Sequence, residues 1–325
     1  MNNTGLPRVA LCLNGKVGNL KNKSGDGGTG AGIVLDLAHK HWYEYLIKNN
    51  NVDVFIWSWD EELKENITTL FNPVKQVYCK QINFLTEDLE RLWEPHNYEA
   101  KRRIQNHYSR YYSLNKCVEL KSQYEKKHNF KYDIVFCSRF DVCLKREIKI
   151  PEWDNFIKNN KIECIVGNGG PAWGNARFKI QDHYFFSSSK IMDKYAELYN
   201  NLDDMALSAR GARGISSHRL SATHIIWKLG LKLCYATIEH DKLIVNQQEA
   251  PIVRALYFNW TMGKKGRLRL PIEGRLVNIE LTPDTHKWET FEIEDTPIKK
   301  QEKVEYEDIF NLKYTLKDKQ HRKIN

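Results

Sequence analysis

The chain has 325 residues, enough for one large or two ordinary domains with real cores, and its 41% hydrophobic and 12% aromatic content fits a globular protein. No run of about 18 apolar residues occurs, which excludes a membrane-spanning helix. The net charge of +9 admits two readings: attraction to an anionic ligand or partner, or a lysine-rich solvated surface with a basic tail that includes Lys299, Lys300, Lys303, Lys313, Lys317, Lys319, Arg322 and Lys323.

The opening stretch lacks the basic and apolar regions of a secretion signal and reads as a first strand over residues 8–13. A glycine-rich loop follows over 14–32, and then an amphipathic helix over 33–47 with Leu37, Trp42, Tyr45 and Leu46 among its apolar positions. Strands are predicted over 52–57 and 74–79; residues 87–99 give a weak signal, interrupted by Pro95. A long helix spans about 104–127, its apolar face carried by Tyr111, Leu114, Val118, Leu120 and Tyr124. A fourth strand over 134–137 is short and rich in β-branched and aromatic residues. Further strands are expected at 162–166 and 233–238, with a second glycine-rich loop, GNGGPAWGNARFK, and the aromatic stretch HYFFSSS between them, and helices near 190–201 and 218–229. Alternating strands and helices argue a layered α/β domain over 1–250, with 251–325 as an appended C-terminal extension whose basic end frays.

Cysteine usage points to the same class. The seven cysteines contain no C-x-x-C pair, and Cys12, Cys137, Cys164 and Cys234 lie in strand-like runs, where a free thiol acts as a small apolar residue. That predicts a reducing, cytoplasmic compartment rather than a disulfide framework.

The segment YDIVFCSRFDV carries the strongest functional signal. In an open α/β sheet, ligands bind beyond the carboxyl ends of the strands. Here an apolar run gives way to Ser138, Arg139 and Asp141. A carboxylate there can hold a hard divalent cation, Mg²⁺ or Mn²⁺, and a guanidinium can hold phosphate. The bland alternative is a surface Arg–Asp pair that closes a turn.

Other candidates are weaker singly. Asn14, Gly15 and Lys16 come directly off the first strand and offer backbone N–H groups to a phosphate or base, but neither G-x-G-x-x-G nor a P-loop is present. This counts against a dinucleotide dehydrogenase and a P-loop kinase. Ser109, Ser113 and Lys116 fall on one stripe of the long helix, flanked by Arg110, and could hold ribose or diphosphate oxygens; a solvated face gives the same pattern. Asp182, in Gln181-Asp182-His183 before the aromatic run Tyr184-Phe185-Phe186, could deprotonate a sugar hydroxyl or simply cap a turn. His218 and His224 read as structural. No H-E-x-x-H or G-x-S-x-G occurs, so zinc-hydrolase and serine-hydrolase chemistries fit poorly.

In order, RVALCLNGKVG, VDVFIWSWD, HYSRYYSLNKCVELKSQYE, YDIVFCSRFDV and QDHYFFSSSKIMDKYAELY resemble GT-A-fold glycosyltransferase-like proteins of large DNA viruses, phages and bacterial polysaccharide clusters, over roughly residues 8–240. The resemblance implies a mixed, Rossmann-like central sheet with helices on both faces. It also implies metal-assisted transfer from a nucleotide-sugar donor to a glycan or glycoprotein acceptor. By that likeness Leu13, Asn14 and Gly15 border the nucleotide, and Asp53 lies near its base or ribose. Arg110, Ser113 and Lys116 line the donor side, Arg139 and Asp141 fill the D-x-D position, and Asp182 stands near the acceptor. Two departures stand out: Arg139 replaces the first aspartate, and SSHRLSATH replaces a His-Pro-Glu-like stretch.

Two rivals remain open. Arg139 motivates a non-catalytic nucleotide- or glycan-binding module on the same fold. The +9 charge with interleaved aromatics motivates nucleic-acid binding, against which the spread of basic residues and the absence of a zinc finger, RRM or helix-turn-helix signature both argue.

Overall fold

The computed structural model describes residues 5–18, 31–93, 100–144, 147–159, 163–169, 180–207, 217–235, 238–239, 242–243, 252–254, 267–272, 275–280 and 290–294. Its centre is a seven-stranded sheet. The strands are β1 (Arg8–Gly15), β2 (Asn51–Ser58), β3 (Lys75–Tyr78), β4 (Ile134–Arg139), β6 (Cys164–Gly169), β7 (Ile180–Ser187) and β8 (Lys232–Tyr235), in the order β3-β2-β1-β4-β7-β6-β8. A short β5 (Val142–Leu144) lies outside this sheet. Strands β3, β2, β1 and β4 are parallel; β7 runs against both β4 and β6, and β8 is parallel to β6.

Alternation along β1 builds two cores. Val9, Leu11 and Leu13 point into one, while Ala10 and Cys12 point into the other. The first core takes Val34 and Trp42 of α1 (Ala31–Trp42), Ile67 and Phe71 of α2 (Lys64–Phe71), and Trp153 of α5 (Ile150–Asn159). The second takes Trp93 of α3 (Glu87–Trp93), Tyr111 and Val118 of α4 (Ala100–His128), and Met192 and Tyr195 of α6 (Ser189–Ala196). Helices therefore cover both faces of a mixed sheet, an α/β architecture compatible with a Rossmann-like fold. The strands at the centre are buried on both sides, and for that reason β1 and β4 read as continuous apolar runs.

The connections define a switch point. From β1 the chain moves by α1 to β2 and by α2 to β3, and both helices lie on the first core's face. It then returns through α3 and α4 on the opposite face to place β4 on the other side of β1. The strand order thus reverses between β1 and β4, where open α/β sheets form a crevice at the carboxyl ends of the strands.

Several boundaries differ from the sequence expectation. The weak region contains α3, whose Trp93 is fully buried and donates its indole N–H to Tyr108 Oη at 3.1 Å. The first helix continues past Trp42 as a π-helical turn, Tyr43–Ile47, closed by Lys48 N–H on the Tyr43 carbonyl. The helix expected over 190–201 is broken: α6 stops at Ala196, a 3₁₀ turn covers Tyr199–Asn201, and α7 (Leu202–Leu207) follows. α8 (Ser217–Ala222) likewise runs into a π turn, Thr223–Lys228. Asn72 and Asn129 adopt positive φ directly after α2 and α4, a conformation asparagine tolerates better than most residues.

Beyond residue 250, residues 252–254 form a short strand, β9, which pairs antiparallel with β5. Residues 267–272, 275–280 and 290–294 form a three-stranded antiparallel sheet. The basic end, 295–325, lies outside the described residues, as do residues 19–30 and 170–179 of the two glycine-rich stretches.

Buried polar groups tie the layers together. Lys121 of α4, wholly buried, bonds Glu125 at 3.1 Å, Ser189 Oγ at 2.7 Å and Asp193 at 2.6 Å. Glu125 also accepts from Lys131 Nζ and Tyr132 N–H. This network clamps α4 to α6. Cys12, Cys137 and Cys164 are buried free thiols, as expected of strand residues acting as small apolar groups, and Cys117 of α4 is buried beside them. Burial pushes the Cys117 and Cys137 thiols well above their usual range.

Candidate active site at the β1–β4 switch point

Register brings the strongest candidates together. Leu13 pairs with Ser138 and Asn14 with Arg139 at the carboxyl ends of the two strands. Asn14 is 5% exposed, and its side-chain amide donates to the Ser138 carbonyl at 3.0 Å, stitching the two tips. β4 extends two residues beyond the predicted strand, so Ser138 and Arg139 are strand residues. Phe140 and Asp141 make the turn into β5.

That turn is set by burial. Phe140 and Val142 are fully buried, and Phe140 packs edge-on against Phe71. Asp141 between them is held inward at 1% exposure and pairs with the Arg139 guanidinium. Ser138 Oγ donates to the His183 carbonyl at 3.2 Å. Tyr184 is the register partner of Ser138, so β7 enters the sheet at the end where β4 leaves it. Asp182 precedes Tyr184 by two residues on β7, which puts its backbone at that same end.

The loop after β1 is pinned to the end of β2. The Gly15 carbonyl accepts from Trp59 N–H and Ser58 Oγ, both at 3.2 Å. Gly15 has φ +93°, a region closed to most side chains, and a Cβ there would lie 3.8 Å from Ser113 Oγ. Ser113 is thus beside the strand tip. It sits in the middle of α4 rather than at its amino end, is fully buried, and donates to the Arg110 carbonyl at 2.8 Å.

Other members of the serine stripe are engaged elsewhere. Ser109 accepts from the Gln81 amide at 2.7 Å. Lys116 pairs with Glu119 at 2.8 Å and lies over the Tyr112 ring at 5.6 Å; the Glu119 bond pushes its ammonium pKa up. Arg110 lies over the Tyr111 ring. Tyr112 stacks on Trp59 with ring centroids 5.7 Å apart, so Lys116 and these rings flank the Gly15 loop.

Asp53 does not join this group. It pairs with Ala10 near the amino end of β1 and accepts from Tyr132 Oη at 2.6 Å. The strand direction places it toward the opposite end of the β1–β2 pair from Asn14, where its carboxylate anchors the entry to β4. His224 is fully buried; Lys194 O lies 3.1 Å from its Nε2, and burial pulls its pKa down to about 4, a core histidine as expected.

Sequence reasoning passed over Asp60. It follows β2 as Asp141 follows β4, and it is 1% exposed. Its Oδ2 accepts from Val17 N–H at 2.6 Å, and its own N–H donates to Ser58 Oγ at 3.1 Å. Burial raises its pKa to about 6, with the Val17 bond and Lys16 opposing and Glu62 reinforcing the rise. The signal was present: an acid directly after the apolar run VFIWSW.

A divalent cation here would meet a sparse protein donor set. Among the described residues no cluster of three or more acidic, histidine or cysteine side chains is arranged to hold a metal ion. Asp141 supplies a buried carboxylate at the switch point. That fits a hard cation carried mainly by diphosphate and water oxygens, the usual Mg²⁺ arrangement in phosphate sites. Among the described residues no helix is long and apolar enough to cross a membrane. No protein-family model matches the chain, and no curated protein matches it.

Proposed function

We propose that the chain is a GT-A-like glycosyltransferase that moves a sugar from a nucleotide-diphosphate donor to a hydroxyl of a glycan or glycoprotein. The observation that carries this reading is the register of β1 and β4. It sets Asn14, Ser138 and Arg139 side by side, with buried Asp141 two residues on, at the point where the strand order reverses.

In this reading the backbone of Leu13, Asn14 and Gly15 borders the nucleotide, and Lys16 stands over its phosphates. Asp141 would hold Mn²⁺ or Mg²⁺, and that ion would supply Lewis-acid help to the leaving diphosphate. Arg139, with Arg110 and Lys116 from α4, offsets negative charge on the diphosphate, Lys116 exchanging its Glu119 partner for it. Ser113 and Ser138 shape the donor pocket. Asp182 takes the acceptor proton if transfer inverts the anomeric centre. Asp53 is left outside this assignment because it anchors Tyr132.

The decisive experiment titrates UDP and GDP calorimetrically with and without Mn²⁺. Metal-dependent binding that disappears in Asp141→Ala is expected. Metal-independent binding of equal strength in both proteins would overturn the transferase reading. One observation favours the rival, a non-catalytic nucleotide- or glycan-binding module: Arg139 already neutralises Asp141. Turnover of any nucleotide sugar, read as released UDP or GDP, excludes that rival.

A further inference from the structure

We propose that Asp60 is a positioning residue: its carboxylate fixes the backbone of the loop after β1, and with it Lys16, at the mouth of the β1–β4 crevice. The pinning stands on geometry alone. What Lys16 then touches rests on the nucleotide-sugar reading above.

Three bonds hold the loop. The Gly15 carbonyl is gripped by Trp59 N–H and Ser58 Oγ, and two residues later Val17 N–H is gripped by Asp60 Oδ2 at 2.6 Å. Ser58 Oγ also receives Asp60 N–H, so gripping atoms and loop form one closed network. Gly15 and Gly18 take positive φ values of 93° and 78° on either side, which lets the chain turn sharply at both ends of the short segment. The Val17 side chain is fully buried in the first core. With residues 15 and 17 both fastened, the half-exposed Lys16 between them has a fixed origin.

A carboxylate is a demanding choice for this task. Asp60 is 1% exposed, and its Oδ1 is buried without a hydrogen-bond partner among the described residues. The charged groups that act on it are Lys16 from the loop and Glu62 from the 3₁₀ turn after β2. An asparagine could accept from Val17 N–H equally well with no buried charge. What the aspartate adds is a negative charge, which the Lys16 ammonium feels weakly. That charge draws the lysine toward the loop when the crevice is empty, and it yields to a stronger anion such as a diphosphate.

The test uses the full chain with Asp60→Ala and Asp60→Asn. Asp60→Ala should speed hydrogen exchange of the Val17 amide about tenfold, the scale of a lost hydrogen bond to a charged acceptor, with β1 amides unchanged. Asp60→Asn should retain most of that protection. In the wild type, Val17 protection, corrected for intrinsic exchange, should show an inflection near pH 6 that Asp60→Asn lacks. Equal Val17 protection in wild type and Asp60→Ala would overturn the proposal. Should Asp60→Ala fail to fold, an identical pH profile in wild type and Asp60→Asn overturns it as well. UDP and GDP titrations with Mn²⁺ form a separate arm: wild type that binds neither nucleotide refutes the transferase reading and leaves the exchange result to decide Asp60.

Discussion

Arg139 and Asp141 are bonded to each other across the turn that leaves β4, the guanidinium donating to Asp141 Oδ2. Asp141 is almost fully buried while Arg139 keeps an exposed edge of 19%. A cation at Asp141 therefore competes with an arginine already in place. Arg139→Gln should bind Mn²⁺ alone several-fold more tightly than wild type, measured by calorimetry, and bind UDP or GDP more weakly because a phosphate partner is gone. Removing the guanidinium also leaves a buried carboxylate short of its ion pair. Arg139→Ala should lose about 2 kcal/mol in urea unfolding, below the 3–5 typical of fully enclosed pairs, since water reaches the arginine.

Asp60 predicts an unusual pH dependence of stability. Its folded pKa, about 6, lies above the ordinary aspartate value of 3.8, so the folded state binds the proton more tightly than the unfolded chain. Stability from this group is full below about pH 4 and declines as pH rises through 6. Asp60→Asn removes that slope. At pH 7.5 the variant should be more stable than wild type by about 2 kcal/mol, with the difference vanishing near pH 4, in urea titrations across that range. No gain at neutral pH would contradict the buried, weakly compensated charge.

Glu125 works in the opposite sense. Burial alone would raise its pKa, but Lys131, Ser189, Tyr132 N–H and Lys121 together hold it below the ordinary value of 4.5. Its contribution is present above that value and is lost as pH falls through the depressed folded pKa. Glu125→Gln should therefore unfold less steeply in acid than wild type while being weaker at pH 7. Lys121→Ala, which strips the buried ammonium from Glu125 and Asp193, should cost about 3–5 kcal/mol. The double variant should lose less than the sum of the two, because both changes break one contact.

Much of this architecture was visible in the residues. The buried strands β1 and β4 announce themselves as continuous apolar runs, and Asn14, Arg139 and Asp141, singled out as strand-end residues, do lie together where those two strands end. Register was not visible. Nothing local in the sequence pairs Asn14 with Arg139, or sends Asp53 and Asp60, seven residues apart on one strand and its exit, to opposite ends of the sheet. The serine stripe of α4 illustrates the same limit. Spacing alone put Ser109, Ser113 and Lys116 on one face, but tertiary packing gave Ser109 to Gln81 and Lys116 to Glu119, leaving Ser113 beside Gly15. Boundaries failed where burial overrode propensity: Trp93 secures α3 in a stretch of weak periodicity.

Gly15 offers the sharpest separation of backbone from side-chain effects. Its φ of +93° excludes ordinary residues, yet a Cβ there would meet nothing closer than Ser113 Oγ at 3.8 Å, an ordinary contact. Gly15→Ala should thus destabilise by about 1–2 kcal/mol through backbone strain and not through a clash. Truncating the neighbour in Gly15→Ala/Ser113→Ala should recover none of that loss. If the chain relieves the strain by rotating residue 15, the Gly15 carbonyl must leave Trp59 N–H and Ser58 Oγ, and amide exchange at Trp59 should accelerate along with the fall in urea midpoint. A Gly15→Ala protein with wild-type stability and an unchanged Trp59 amide would show that the loop after β1 is not held in the conformation on which Lys16 and Val17 depend.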